Sequence, residues 1–176
     1  MGCLIQGAQP KIVRWEDAIT ADLAVDRIDL KILARLQAEG RITNQALSDA
    51  VGLSPSACLI RVRRLEAAGL ILGYHAAVAI ERVAPTVVIF AEVTLTRHHP
   101  ADFAAFEAYA LTIPEIVEAA QVSGAFDYLL KVATRDMRAW RELSDRILNS
   151  DLGVAKISSH VMMKAAKAFE AFPIGG

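Results

Sequence analysis

Residues 43–68, TNQALSDAVGLSPSACLIRVRRLEAA, constrain this chain more than any other stretch. Thr43 suits a helix N-cap, since its hydroxyl can accept from backbone N–H groups that a first turn leaves without partners. Leu47 and Val51 fall on one side of the helix that follows, which runs to about Val51. Gly52 supplies a sharp turn. Ser54 caps the next helix, and Pro55 fits its first position, where a missing N–H costs nothing. Gly69 suits the residue just past the end of that helix. Two short helices joined through residues 51–54 can lay the second in the major groove of DNA while the first crosses the backbone.

In that second helix Cys58, Leu59, Val62 and Leu65 read as the inward stripe. Ser56, Ala57, Ile60, Arg61 and Arg64 are left pointing outward or to the flanks. Arginine is the side chain best matched to guanine O6/N7 and to phosphate. Arg61, Arg63 and Arg64 against Glu66 give residues 54–68 a local charge of +2. The local value matters because the whole chain carries a formal charge of −1, so any DNA contact must come from a patch rather than a global field. The DNA-contact set is therefore Ser54, Ser56, Ala57, Ile60, Arg61, Arg63 and Arg64. Arg41 and Thr43, at the start of the first helix of the pair, are placed for phosphate. The bland reading of the same helix is a solvated face on a three-helix bundle.

Upstream, residues 26–39 read as another helix, with Ile28, Ile32, Leu33 and Leu36 at helical spacing and Asp26 and Asp29 in the first turn, where the helix dipole favours negative charge. Gly40 ends it. After Gly69 the period changes. Residues 70–80 and 85–95 read as strands, 101–112 as a helix with Phe103, Phe106 and Leu111 on one side, and 116–123 as a strand. A turn at Gly124-Ala125 leads to a strand over 126–133, a helix over 136–148 with Trp140, Leu143 and Ile147 inward, and a last strand over 154–167. Strand-helix-strand twice over predicts a four-stranded antiparallel sheet with two helices on one face, the ferredoxin-like plan. Val88, Phe90 and Val93 beside Ile89 and Ala91 leave both strand faces apolar. An antiparallel sheet with one wet face would alternate cleanly, so the open face is expected to be covered by a second copy of the chain.

The chain has 176 residues, 54 % of them apolar, enough to bury a core in one ordinary domain or two small ones. Its two cysteines, Cys3 and Cys58, make no disulfide framework and suit a reducing cytosol, with Cys58 read as core. Apolar runs such as 86–91 are far short of a membrane span, and the start lacks the pattern of a signal peptide. Met1-Gly2-Cys3 resembles a myristoylation start, but Gln6 stands where Ser or Thr is needed. Residues 1–24 read as a loosely attached arm whose Trp15 packs on the body or on a second subunit. His98-His99 with Asp102 reads as a solvated loop rather than a metal site. No nucleophile elbow, phosphate loop or His/Glu helix motif is present, so no catalytic residues, cofactor or metal are expected.

Two segments together resemble a known family. Leu53-Ser54-Pro55-Ser56-Ala57-Cys58, then Arg61-Val62-Arg63-Arg64-Leu65-Glu66 and Gly69-Leu70-Ile71, resemble the DNA-binding part of the Lrp/AsnC regulators of bacteria and archaea. Val122-Ser123-Gly124-Ala125-Phe126-Asp127-Tyr128-Leu129-Leu130-Lys131-Val132 matches the effector-loop segment of that family's second domain. The resemblance spans about residues 25–172. Ala57 stands where the family usually has proline, Ile60 where a polar or charged residue is common, and Ala125 where an acidic or polar one is often found. Residues 1–24 have no counterpart in shorter members.

The resemblance implies a winged helix-turn-helix dimer that assembles further, often to octamers, binds promoter DNA and responds to an amino acid or related metabolite held between dimers. On it the effector site takes Ser123, Gly124, Ala125, Phe126 and Asp127 from the loop and Ser159, His160, Val161 and Met162 from the last strand. A glycine between two strands serves either a tight hairpin or close approach of a ligand. Backbone N–H groups there can hold a carboxylate, while Asp127 takes the ammonium or fixes the loop. His160 lines the pocket or is a structural histidine.

The reading is thus α+β: a helix-turn-helix domain over 25–70, a linker strand over 71–85 and a ferredoxin-like effector and assembly domain over 86–172. It describes a cytoplasmic, non-enzymatic, sequence-specific DNA-binding transcription regulator that senses an amino acid. Two other classes stand beside it: an architectural DNA binder without an effector, and a small ferredoxin-like enzyme fused to a DNA-binding head.

Overall fold

The computed structural model describes residues 24–174. The arm over 1–24, with Trp15, Cys3 and the Met1-Gly2-Cys3 start, lies outside the described residues except for its last position. The described chain divides into two compact units. One takes residues 24–77 with 167–174, and the other takes Val78–Ala166.

The first unit is built on three helices: α1 (Arg27–Ala38), α2 (Asn44–Val51) and α3 (Pro55–Ala67). The expected caps are all made. Asp26 stands just before α1, accepting from the Ile28 and Asp29 amides, while Asp29 accepts from the Asp26 amide in return. The Thr43 hydroxyl accepts from Ala46 N–H and the Ser54 hydroxyl from Ala57 N–H. Gly52 adopts φ +74°, a left-handed conformation that L side chains rarely take, and so sets the turn between α2 and α3. Ile32, Leu47, Val51, Cys58 and Leu65 form the core, with Ile28, Leu33, Leu36 and Val62 against it. Leu59, expected inward, is 38 % exposed, because it sits on the flank of the stripe rather than on its axis. Phe172 closes the unit at the far end of the chain. Its N–H donates to Gln37 Oε1 at 2.9 Å, and the Gln37 amide donates back to the Phe172 carbonyl at 3.3 Å.

Residues 72–79, expected to be part of a strand, form none. A strand exists only where a neighbouring backbone pairs with it. Leu72, Tyr74 and Val78 alternate along this stretch and are exposed. A single helical turn, Ile80–Arg82, follows.

The second unit runs β1 (Val87–Leu95), α4 (Pro100–Ala110), β2 (Ile116–Gln121), β3 (Tyr128–Thr134), α5 (Met137–Leu148) and β4 (Val154–Val161). Its four strands are ordered β2-β3-β1-β4, all neighbours antiparallel, which is the βαββαβ plan expected. Ile89, Ala91, Val93 and Leu95 of β1 and Tyr128, Leu130 and Val132 of β3 face a core shared with Phe106, Trp140, Leu143 and Ile147. Val93 therefore belongs with Ile89 and Ala91, not with Val88 and Phe90, since a strand alternates strictly with period two. Leu111 is exposed rather than inward, as α4 ends one residue before it. The last strand stops at Val161, short of the expected 167. The face away from the helices carries Val88, Phe90, Leu129 and Ala133, all only partly buried.

Candidate functional site

On α3 the core side is fixed by Cys58 and Leu65, both without solvent exposure. Burial pushes the Cys58 thiol above its ordinary range, which suits a core residue. Directly opposite, Ile60 is 68 % exposed, with Ser56 and Arg63 also exposed beside it. Ala57 lies on a flank. Thr43 and Arg41 are likewise exposed, at the start of α2.

Two of the expected DNA-contacting arginines are engaged elsewhere. Arg61 and Arg64 do not stand free: Arg61 Nη1 donates to Asp26 Oδ2 at 2.6 Å and to Asp29 Oδ1 at 2.9 Å, and Arg64 Nη2 donates to Asp29 Oδ2. Asp29 has no exposure, so its charge depends on these partners. The Asp29 amide, with the Arg61 guanidinium next, holds the Asp26 carboxyl below its usual range. The hydrogen bonds it donates to Asp26 and then to Asp29 raise the Arg61 guanidinium above its ordinary value. Sequence periodicity gave the angular position of each arginine but not the reach of its side chain back over the flank to α1. Arg63, by contrast, makes no ion pair among the described residues.

In the second unit the loop between β2 and β3 is tied at its ends. Val122 N–H donates to the Asp127 carbonyl, and Asp127 N–H to the Val93 carbonyl. The Asp127 side chain accepts from Leu95 N–H at 2.7 Å and lies 3.1 Å from His98 Nε2. Asp127 therefore ties the loop to the end of β1. His98, expected to be merely solvated, is that carboxylate's second partner. Between these ties the N–H groups of Ser123, Gly124, Ala125 and Phe126 make no hydrogen bond among the described residues. Gly124 has φ +141°, with nothing within 4 Å of where a Cβ would stand. Glycine is needed there for backbone conformation, not for space.

The last-strand residues do not meet this loop within one chain. Asp127 is level with Val93, whereas Ser159, His160 and Val161 pair with Ala91, Phe90 and Ile89, and Met162 N–H bonds to the Val88 carbonyl. The offset from Val93 to Phe90 is about 10 Å along β1, with β1 itself lying between the two groups. Ser159 and Val161 fall on the helix side, where Trp140 Nε1 donates to Ser159 Oγ. His160 falls on the open face beside Glu92, at 3.3 Å. A polar hollow of about 370 Å³, lined by Glu115, Thr134, Arg135, Glu142 and Arg146, sits at the other end of β3 from the loop. Among the described residues no cluster of His, Cys, Asp or Glu has metal-site geometry, and no helix is long and apolar enough to cross a membrane.

Residues 25–71 match the model for a winged helix-turn-helix DNA-binding domain, and residues 88–172 match the Lrp/AsnC ligand-binding domain. The chain belongs to the Lrp/AsnC family. It is a transcription regulator with a DNA-binding domain followed by a ligand-binding domain. It is 45 % identical over 143 residues to the leucine-responsive regulatory protein of Salmonella typhimurium, covering 81 % of this chain and 87 % of that one. A transcriptional regulator of Neisseria meningitidis in complex with L-methionine superposes with a TM-score of 0.77 at 35 % identity, over 85 % of this chain and 97 % of that one. The feast or famine regulatory protein of M. tuberculosis, complexed with L-methionine, gives 0.74 at 29 % identity, over 85 % and 99 %.

Proposed function

We propose that this regulator binds promoter DNA through residues 25–70 and senses an apolar amino acid through residues 86–172, with 71–85 joining the two. The observation that carries the sensing half is the run of four unpartnered N–H groups from Ser123 to Phe126 around Gly124. Successive free amides in such a turn make a concave site for an anion, here the effector's carboxylate. L-methionine is the first ligand to try, because two relatives carry it.

Because the loop and the Ser159–Met162 segment lie apart in one chain, the complete site takes its loop from one protomer and its last strand from another. Val161 or Met162 then gives the apolar wall, and the ammonium finds its acceptor across the shared contact. The assembly unit is a dimer closed over the open sheet face, and dimers associate further, up to an octamer. A ligand held at their contact shifts assembly by its differential affinity for the two states. The chain works in the cytoplasm without catalysis, cofactor or metal.

The test is calorimetry of the full-length protein with L-methionine and L-leucine, alongside binding to its own upstream DNA with and without each. Saturable binding of one of them, with a shift in DNA affinity or assembly, is expected. DNA binding that ignores every amino acid would leave an architectural DNA binder instead.

A further inference from the structure

Resting on the DNA-binding reading above, we infer that Ile60 is a specificity-determining residue that reads the 5-methyl group of a thymine in the major groove. Ile60 and Cys58 are two residues apart, roughly 200° around the helix. Cys58 has no exposure, so Ile60 points straight away from the core, and it is 68 % exposed. A β-branched side chain at an exposed mid-helix position adds nothing to packing and is a weaker helix former than most. Its stem offers no hydrogen bond to phosphate, sugar or a base edge.

The neighbours select the partner. Ser56 and Arg63 flank Ile60 on the same exposed strip, one hydroxyl and one cation. Arg63 makes no ion pair among the described residues, whereas Arg61 and Arg64 are held by Asp26 and Asp29. An apolar tip in a cationic setting fits a polyanion that displays an isolated apolar group. The thymine methyl is the apolar group that B-DNA presents in the major groove. The geometry thus divides the work on α3: Arg63 meets phosphate or guanine, Ile60 meets thymine, and Arg61 and Arg64 brace the helix.

The experiment uses the full-length protein and duplexes it enriches from a random-sequence pool, remade with deoxyuridine in place of each thymine in turn. This change deletes one major-groove methyl and leaves base pairing intact. Wild type is expected to lose about fourfold in affinity at one thymine per half-site, the factor that burying a methyl-sized group supplies. Ile60→Ala is expected to bind the thymine and deoxyuridine duplexes equally, with an unchanged melting temperature because the side chain is exposed. Ile60→Val should fall between the two. Wild-type indifference to deoxyuridine at every position overturns the inference, as does an Ile60→Ala protein that still prefers thymine. A pool from which nothing is enriched overturns the DNA-reading function itself, an outcome distinct from enrichment without methyl sensitivity.

Discussion

Arg64 of the recognition helix α3 donates to Asp29, a carboxylate of α1 with no solvent exposure. The pairing welds the helix that faces DNA to the helix behind it. Arg61 completes it, bridging Asp29 and Asp26. Recognition-helix arginines that look like DNA contacts in the sequence thus carry the domain's internal electrostatics. The orientation of α3 follows from a buried charge rather than from apolar packing alone.

Arg64→Ala should therefore destabilise the first unit by about 2–3 kcal/mol, since removing one partner leaves a buried carboxylate short of compensation. Urea unfolding followed by circular dichroism measures this. Asp29→Asn should lower stability in the same direction. An Arg64→Ala protein as stable as wild type would mean that the Asp29 pairing is not made in solution.

Arg63→Ala should behave in the opposite way. Its melting temperature should stay within a degree or two of wild type, because Arg63 is exposed and makes no ion pair among the described residues. Its DNA affinity should fall for all sequences alike, with the salt slope reduced by about one unit. An unchanged slope would remove Arg63 from the phosphate contacts.

Much of this was legible in the sequence. Thr43, Ser54, Pro55, Gly52 and Gly69 mark helix ends through local chemistry, and the βαββαβ order follows from period changes alone. What periodicity cannot supply is reach and register. It placed Arg61 and Arg64 off the buried stripe but could not show their guanidinium groups reaching back to Asp29. The family resemblance joined Ser123–Asp127 and Ser159–Met162 in one site, yet only the β1–β4 register reveals that one chain holds them apart. Residues 70–80 read as a strand from composition, but a single chain offers residues 72–79 no partner backbone.

Asp127 separates two roles by substitution. Asp127→Ala leaves the N–H of buried Leu95 without its acceptor, costing about 1–3 kcal/mol and speeding hydrogen exchange at Leu95. Asp127→Asn keeps an acceptor oxygen while losing the charge. Loop fixing predicts that Asp127→Asn retains L-methionine affinity within about twofold while Asp127→Ala loses it, and calorimetry distinguishes the two. Equal loss in both variants would return Asp127 to the ammonium.

Acid should unfold the protein through its helix caps. Ala139 N–H holds the Asp136 carboxyl below its ordinary value, as Asp29 N–H does for Asp26, both from 3.8. A depressed folded value means that the stabilisation is present above 3.8 and is lost as pH falls through the folded value. Melting temperature should therefore decline below about pH 4. Asp26→Asn and Asp136→Asn, which keep the cap but not the charge, should each flatten that decline. A pH profile identical to wild type in both would place the acid sensitivity elsewhere.

The open sheet face gives the final test. Val88, Phe90, Leu129 and Ala133 present apolar surface on the side away from the helices, and Phe90 sits near its centre, opposite Lys131 on β3 and His160 on β4. If a second copy covers this face, a charge at Phe90 has to be desolvated in the assembly but not in the free protomer. Phe90→Glu should then fold but dissociate, because the side chain lies outside the core that packs against α4 and α5. Sedimentation at micromolar concentration should show wild type as a dimer or larger and Phe90→Glu shifted toward monomer. DNA affinity should fall with it, since a monomer offers one recognition helix where a dimer offers two. An unshifted oligomer would place the dimer contact on another surface.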